Sequence, residues 1–389
     1  MADRTSRFVT PWDRSAIIPG RSLTRSKAPG KMFDIVRGPL FGAYGDGAEI
    51  VDFDGHHYID MICALGAISL GYTHEQDVNP ILSLPSFMEG SAAHTVLETI
   101  APWASHVRFV KTGSEATHAA YRIAKRATGR PFVLMGDWAY HGWHEWCERR
   151  PDGVMESFHT LLYSHGASFV DTLGHGVHPL NVDPEEVAAI FLEPHRWVPV
   201  SLDWLSSVRD FCTQHGILLV FDEMIYGGRW ARGGATEYFG VTPDLACFGK
   251  AIGNGYAVAC VVGREALAQH GEIVSGTYSG DIVGLSAVID TLDVYRQQPV
   301  VEMLWTRGRQ LQVGLDALVS GRTDVVREGV PVHQRLRWTD PALARHFGAE
   351  MARRGVLWHP DVVNVMAAHT EDQIAQVIEA AAASLAALA

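Results

Sequence analysis

Between His106 and Gly263 short apolar runs alternate with helical patterns, and no other feature limits the possible folds so strongly. The runs are HVRFVK, PFVLMG, AAIFLE, ILLVFDE, DLACF and AVACVVG. Short runs with little polar alternation suit strands buried on both faces, as parallel sheets require. After HVRFVK, Ala116, Ala120, Ile123, Ala124 and Ala127 share one helical face. A second stripe, Trp204, Leu205, Val208, Phe211 and Cys212, stops at Gly216. Repeated β and α units predict an α/β fold: a mostly parallel central sheet with helices on both faces.

The flanks read differently. EIVDFDGHHYIDM alternates about Asp54-Gly55, which predicts a hairpin with a two-residue turn. Beyond residue 300 one helix is expected to end at Gly355, and a last helix to open at Thr370, with Gln373 completing a capping box. The length of 389 residues suits one large domain with a smaller companion. The net charge of -12 argues against nucleic acid and anionic membranes, which demand clustered Lys and Arg.

Cys63, Cys147, Cys212, Cys247 and Cys260 are scattered and form no CxxC pair, so neither a disulfide framework nor a zinc site is expected. No apolar segment follows the N-terminus, and no apolar run is long enough to span a bilayer. A soluble protein of the reducing cytoplasm, not bound to a membrane, is expected. His141/His144 and His175/His178 have HxxH spacing but no accompanying acidic or cysteine ligands, so no metal is expected.

In an open α/β sheet ligands bind beyond the carboxyl ends of the strands. HVRFVK is followed by Thr112-Gly113-Ser114, where Ser114 opens a helix whose N–H groups and dipole favour an anion such as phosphate. PFVLMG is followed by Tyr140, His141 and Gly142, AAIFL by Glu193, and ILLVF by Asp222 with Met224 and Ile225. DLACF is followed by Lys250, a cation at the end of an apolar strand. An anion cradle, a stacking aromatic, a carboxylate, an apolar contact and a desolvated lysine are what pyridoxal 5′-phosphate needs. Lys250 would form a Schiff base, its pKa lowered by desolvation. Asp222 would keep the pyridine nitrogen protonated. Tyr140 would stack on one ring face, and Ile225 or Met224 on the other.

The ordered series KTGSEATHAAYRIAKRATGR, YHGWHEW, LEP, LLVFDEMIYGGR, GGATEYFGVTPDLACFGKAIGNG and GTYSGD resembles class III pyridoxal-phosphate aminotransferases. It is most similar to the branch of glutamate-1-semialdehyde aminomutase and its aminotransferase relatives. The resemblance runs from about Ile18 to the final helix. It implies fold type I, with a small α+β domain built from both chain ends. The expected boundaries are an N-terminal segment 1–45, a large cofactor domain 46–295 and a C-terminal small domain 296–389. It further implies that Gly113 and Ser114 bind the cofactor phosphate, with Tyr140, His141, Glu193, Asp222, Ile225 and Lys250 around the ring. Thr277 of GTYSGD would reach the phosphate of a neighbouring subunit, making a homodimer with active sites at its interface.

Three departures bear on the small-molecule amino or keto substrate. Where glutamate-1-semialdehyde aminomutase has a carboxylate-binding arginine, IPGRSLTRSKAPG places Lys27, with Arg25 close by. A lysine is a point charge and not a bidentate fork. After Glu193-Pro194 come His195-Arg196-Trp197, where Arg196 binds an acidic substrate group or forms a surface pair. The segment between Gly71 and His106 is also shorter than in relatives. Amino transfer or aminomutation is the expected reaction. Decarboxylation, other α-carbon chemistry on an amino acid attached to a larger molecule, and a degenerate binding scaffold stay open.

Overall fold

The computed structural model describes residues 42–52, 54–66, 68–72, 87–136, 139–148, 160–163, 182–194 and 200–388. These gather into two compact units. One holds the described residues of Met1–Leu65, Gly71–Thr73 and Leu304–Ala389, the other those of Gly66–Leu70 and His74–Met303.

In the unit of the chain ends, β1 (Gly42–Asp46), β2 (Glu49–Asp52) and β3 (His57–Asp60) form an antiparallel meander. The turn between β2 and β3 is longer than the two-residue turn expected at Asp54-Gly55. Asp52 explains the difference, because its Oδ1 accepts the N–H groups of both Asp54 and His56 at 2.9 Å. Gly55 then takes φ +85° and donates its N–H to the Asp52 carbonyl. The far edge of β3 pairs in parallel with Val356–Leu357. That pairing places the hairpin with the C-terminal residues, although the expected boundary at residue 46 assigned it to the large domain.

The larger unit is built on β4 (His106–Val110), β5 (Phe132–Gly136), β6 (Thr160–Tyr163), β7 (Val187–Leu192), β8 (Leu218–Asp222), β9 (Leu245–Phe248) and β10 (Ala259–Gly263). They form a seven-stranded sheet in the order β4-β10-β9-β8-β7-β5-β6. Every residue of β7, β9 and β10 is buried, as continuous apolar runs require.

The sheet is mixed. β5 to β9 are parallel to their neighbours in that group, whereas β10 runs antiparallel to both β4 and β9. The parallel strand expected from AVACVVG is thus corrected. An apolar run reports burial and not direction, and Gly249–Val258 provides one 3₁₀ turn without the helix that a parallel return needs. With β10 reversed, β4 still points the same way as β5 to β9. Their carboxyl ends share one edge.

Helix α1 (Gly113–Thr128) buries Ala116, Thr117, Ala119, Ala120, Ile123 and Ala124 in a core shared with Val110, Phe191, Val220 and Cys247. Ala127, expected on that face, is exposed, because the stripe rotates away in the last turn before Gly129 caps the helix at φ 70°. Helix α2 (Leu202–His215) buries Leu205, Val208, Phe211 and Cys212 and ends at a left-handed Gly216. The short α3 (Gly234–Phe239) follows β8.

In the first unit, β11 (Val325–Val330), β12 (His333–Trp338) and β14 (Val363–Asn364) make a second sheet, and β13 (Val356–Leu357) joins β1–β3. Helix α4 (Pro341–Ala352) stops short of Gly355, which takes φ +75° in the turn that follows. Helix α5 (Glu371–Ala386) opens with the expected Thr370–Gln373 capping box. Among the described residues no helix is long and apolar enough to cross a membrane.

Candidate active site

The edge formed by the carboxyl ends of β4, β5, β7, β8 and β9 collects most of the chemistry-bearing residues. At the end of β4 the helix cap is Thr112, not Ser114. Its hydroxyl accepts the Glu115 N–H at 3.2 Å, and Glu115 Oε2 accepts the Thr112 N–H at 2.8 Å. This capping box leaves the N–H groups of Gly113 and Ser114, the first two of α1, without partners inside the helix. Such N–H groups, with the helix dipole behind them, form an anion cradle.

Gly142, at φ +107°, lies directly against the cradle. A methyl group on it would come within 2.4 Å of Ser114 Oγ and 2.9 Å of Ser114 Cα. The loop after β5 is therefore seated on the helix start, which brings Tyr140 and His141 to the same place. The Tyr140 N–H bonds Glu193 Oε2 at 2.9 Å, so Glu193 ties this loop to the end of β7. The Tyr140 side chain is 56% exposed.

Asp222 ends β8 almost fully buried. Its Oδ2 meets His141 Nδ1 at 2.8 Å, and its Oδ1 accepts the Met224 N–H at 3.1 Å. Each oxygen keeps one lone-pair site for another donor, as a protonated ring nitrogen would be. His141 is enclosed by Trp146 and Phe191, with ring centroids at 6.1 and 5.8 Å, and its Nε2 has no hydrogen-bond partner among the described residues. His144, the other member of that HxxH pair, stacks on His118 at 4.4 Å. His175 and His178 lie outside the described residues.

β8 and β9 are parallel neighbours with Asp222 opposite Cys247, so Lys250 leaves the next strand close to the Asp222 end. Its backbone is held at φ +50°, and among the described residues only Cys63 and Asn254 share positive φ without being glycine. Holding a lysine there costs on the order of 1 kcal/mol, strain of a kind that concentrates at functional sites.

Met224 packs inward. Methyl groups on Gly113 and Gly249 would lie 2.9 and 2.7 Å from its Sδ, so the buried thioether fills the space where β4, β8 and β9 end. Ile225 beside it is partly buried. Glu223 points into the protein, where the N–H groups of Ala235 and Thr236 and the Thr236 hydroxyl bond it at 2.8–2.9 Å. Burial pushes its carboxyl up to about 7, against those hydrogen bonds.

Gly142, Met224 and Glu223 were not singled out for these roles by the sequence. The T-x-x-E spacing of Thr112 and Glu115 was the one readable signal among the parts overlooked. Thr277 is exposed in the turn Gly276–Ser279, and Tyr278 beside it is 63% exposed. Arg25, Lys27 and Arg196 lie outside the described residues, so their expected substrate contacts gain nothing from the geometry.

A sheet edge with an anion cradle, a buried carboxylate and a strained lysine defines an α/β enzyme that holds a phosphorylated, protonatable ring. The cradle closed by Gly142 and the open lone pairs of Asp222 fit pyridoxal phosphate. The aminotransferase class-III family matches residues 37–147 and 165–382, and the chain belongs to it.

The chain is 31% identical over 314 residues to a 3-aminobutyryl-CoA aminotransferase of Cloacimonas acidaminovorans, covering 76% of this chain and 73% of the relative. It is 30% identical over 408 residues to a glutamate-1-semialdehyde 2,1-aminomutase of Thermomicrobium roseum, covering 90% and 92%. Among solved structures it resembles the pyridoxal-phosphate form of the FumI protein of Sphingopyxis sp. MTA144, with TM-score 0.87, 26% identity and coverage of 97% and 95%. An omega-transaminase from Sphaerobacter thermophilus, at TM-score 0.81, 21% identity and coverage of 99% and 98%, shares the fold. The protein is a pyridoxal-phosphate enzyme of amino-group transfer or aminomutation.

Proposed function

We propose that Lys250 holds the cofactor covalently and that the reaction moves an amino group of a substrate without a tightly clamped α-carboxylate. The observation that carries the first part is the placement of Asp222 at the end of β8 and of Lys250 just beyond the end of its parallel neighbour β9, the one buried and bonded to His141, the other held at positive φ. When bound, pyridoxal phosphate supplies an electron sink for charge developing at the substrate α-carbon. Gly113 and Ser114 would bind its phosphate, Tyr140 and Ile225 would cover its ring, and Asp222 would keep the ring nitrogen protonated. His141 holds Asp222 in place, and Glu193 fixes the Tyr140 loop. The Lys250 amine would take and return a proton at the substrate α-carbon as general acid and base.

Lys27 in place of an arginine supports a substrate without a bidentate carboxylate grip. The relative named for 3-aminobutyryl-CoA, whose carboxyl is a thioester, agrees with this. The exposed Thr277 and Tyr278 support a homodimer with active sites at the interface, Thr277 reaching the second subunit's phosphate. Five buried free thiols support a cytoplasmic location.

Purified protein mixed with pyridoxal phosphate should show visible absorbance that Lys250→Ala abolishes. A wild type that takes up no cofactor would sink the proposal. Loaded protein incubated with single amines then reports transfer by loss of that band. Aminomutation is the second reading, favoured by the aminomutase relative that matches most of the chain. It would turn over one compound with no added keto acceptor, whereas transfer requires one.

A further inference from the structure

Gly66–Leu70 is a short strap of the larger unit, separated from the rest of it by Gly71–Thr73 and far in sequence from the two residues that hold it. Two side chains secure the backbone of its described residues. Arg229, fully buried, donates from Nη2 to the carbonyl oxygens of Gly66 at 3.1 Å and Ile68 at 2.8 Å. Asn254 Oδ1 accepts the N–H groups of Ser69 at 3.0 Å and Leu70 at 3.1 Å. The buried Ser69 hydroxyl donates to the Ala251 carbonyl at 3.4 Å. A methyl on Gly255 would lie 2.8 Å from Ile68 Cδ1, so the two backbones run close.

Both anchors belong to the loops that carry the chemistry, Arg229 after Asp222 and Asn254 after Lys250. Lys250–Gly253 is a single 3₁₀ turn that ends at Asn254, itself at φ 42° and ψ 47°. One such turn has few internal bonds and poor bond geometry, so it does not hold a strained lysine by itself. Asn254 closes the turn with its own N–H to the Ala251 carbonyl, and binds the strap with its side chain. Buried backbone groups left unpaired are costly, which allows the clamp one arrangement.

We propose that Asn254 is a positioning residue for Lys250: its clamp on the Ser69 and Leu70 amides fixes where the lysine amine reaches. The proposal rests on Lys250 being the cofactor lysine. Asn254→Gly keeps the left-handed backbone and removes the acceptor, whereas Asn254→Asp keeps both. Two readouts apply. Hydrogen exchange of the Ser69 and Leu70 amides is followed in cofactor-free protein, and growth of the visible band by stopped flow after adding pyridoxal phosphate.

In Asn254→Gly the two amides should exchange faster and the band should form roughly ten- to a hundredfold more slowly, with Asn254→Asp restoring both. Fast exchange with a wild-type rate would reduce the clamp to a structural role and overturn the proposal, as would failure of Asn254→Asp to rescue. A wild type without any band defeats the reading of Lys250 as well, a result distinct from the other two. Should the glycine variant fail to fold, Asn254→Ser, too short to reach both amides, carries the same comparison.

Discussion

Replacing Gly142 by alanine attacks the candidate phosphate cradle from behind. The perturbation has two parts. At φ +107° any residue with a Cβ is strained, at a cost of about 1–3 kcal/mol. The new methyl also meets Ser114 at 2.4 Å from Oγ, 2.8 Å from Cβ and 2.9 Å from Cα. The hydroxyl can rotate away, but the α-carbon is backbone, so the loop or the first turn of α1 has to shift. Overpacking of this kind costs roughly 1–3 kcal/mol more, for a total on the order of 2–6 kcal/mol. Domains of ordinary stability have about 5–15 kcal/mol in hand, so the variant should fold with a much lower urea midpoint.

The same shift moves the Gly113 and Ser114 N–H groups proposed to face the phosphate. Affinity for pyridoxal phosphate, titrated by visible absorbance, should fall by at least about tenfold, which corresponds to about 1.4 kcal/mol. Adding Ser114→Ala should rescue little, since the new methyl still clashes with the backbone and the β-carbon of residue 114. Wild-type midpoint and affinity in Gly142→Ala would refute the seating of this loop on the helix start.

Other outcomes follow from neighbouring groups. The raised Glu223 carboxyl means that the folded state holds its proton more tightly than the unfolded chain, which releases it near 4.5. The resulting stabilisation is complete below that value and is lost as pH rises to about 7. Urea unfolding should show wild type losing roughly 2–3 kcal/mol between pH 5 and pH 8, a slope that Glu223→Gln flattens. Met224→Ala should cost about 2–5 kcal/mol by urea melt, because the thioether fills the space between three strand ends. Thr277→Ala, at an exposed turn, should change stability by less than about 0.5 kcal/mol. With Thr277 reaching a second subunit's phosphate as proposed, it should still weaken cofactor binding severalfold, measured by absorbance titration.

The large features could be read from sequence because burial writes itself into composition. Lys250 and Asp222 stand out as charges that end continuous apolar runs, and in an α/β sheet those ends have a common address. Direction is a different matter. AVACVVG is as apolar as its parallel neighbours, and only the missing crossover helix before it betrays the antiparallel pairing. The meeting of one loop with another was less legible still. That Gly142 rests on Ser114, or that Met224 and not Ile225 packs against Gly113 and Gly249, depends on how separate segments come together. The two-residue turn at Asp54-Gly55 failed for a local reason, since the Asp52 carboxylate competes for the same amides.

The reversed strand β10 also dictates an order of assembly. β4 lies at the sheet edge, and its hydrogen-bonded neighbour is β10, a partner made much later in synthesis. Pairing over such a separation is delayed by the entropy of closing the intervening chain. On a ribosome the strands that present Asp222 and Lys250 can already be paired, with α1 packed on β7 to β9, while β4 still lacks its strand partner. The edge of the sheet next to β4 is thus completed last. Chains that stall before Gly263 would carry Lys250 beside a β4 with no strand to pair with.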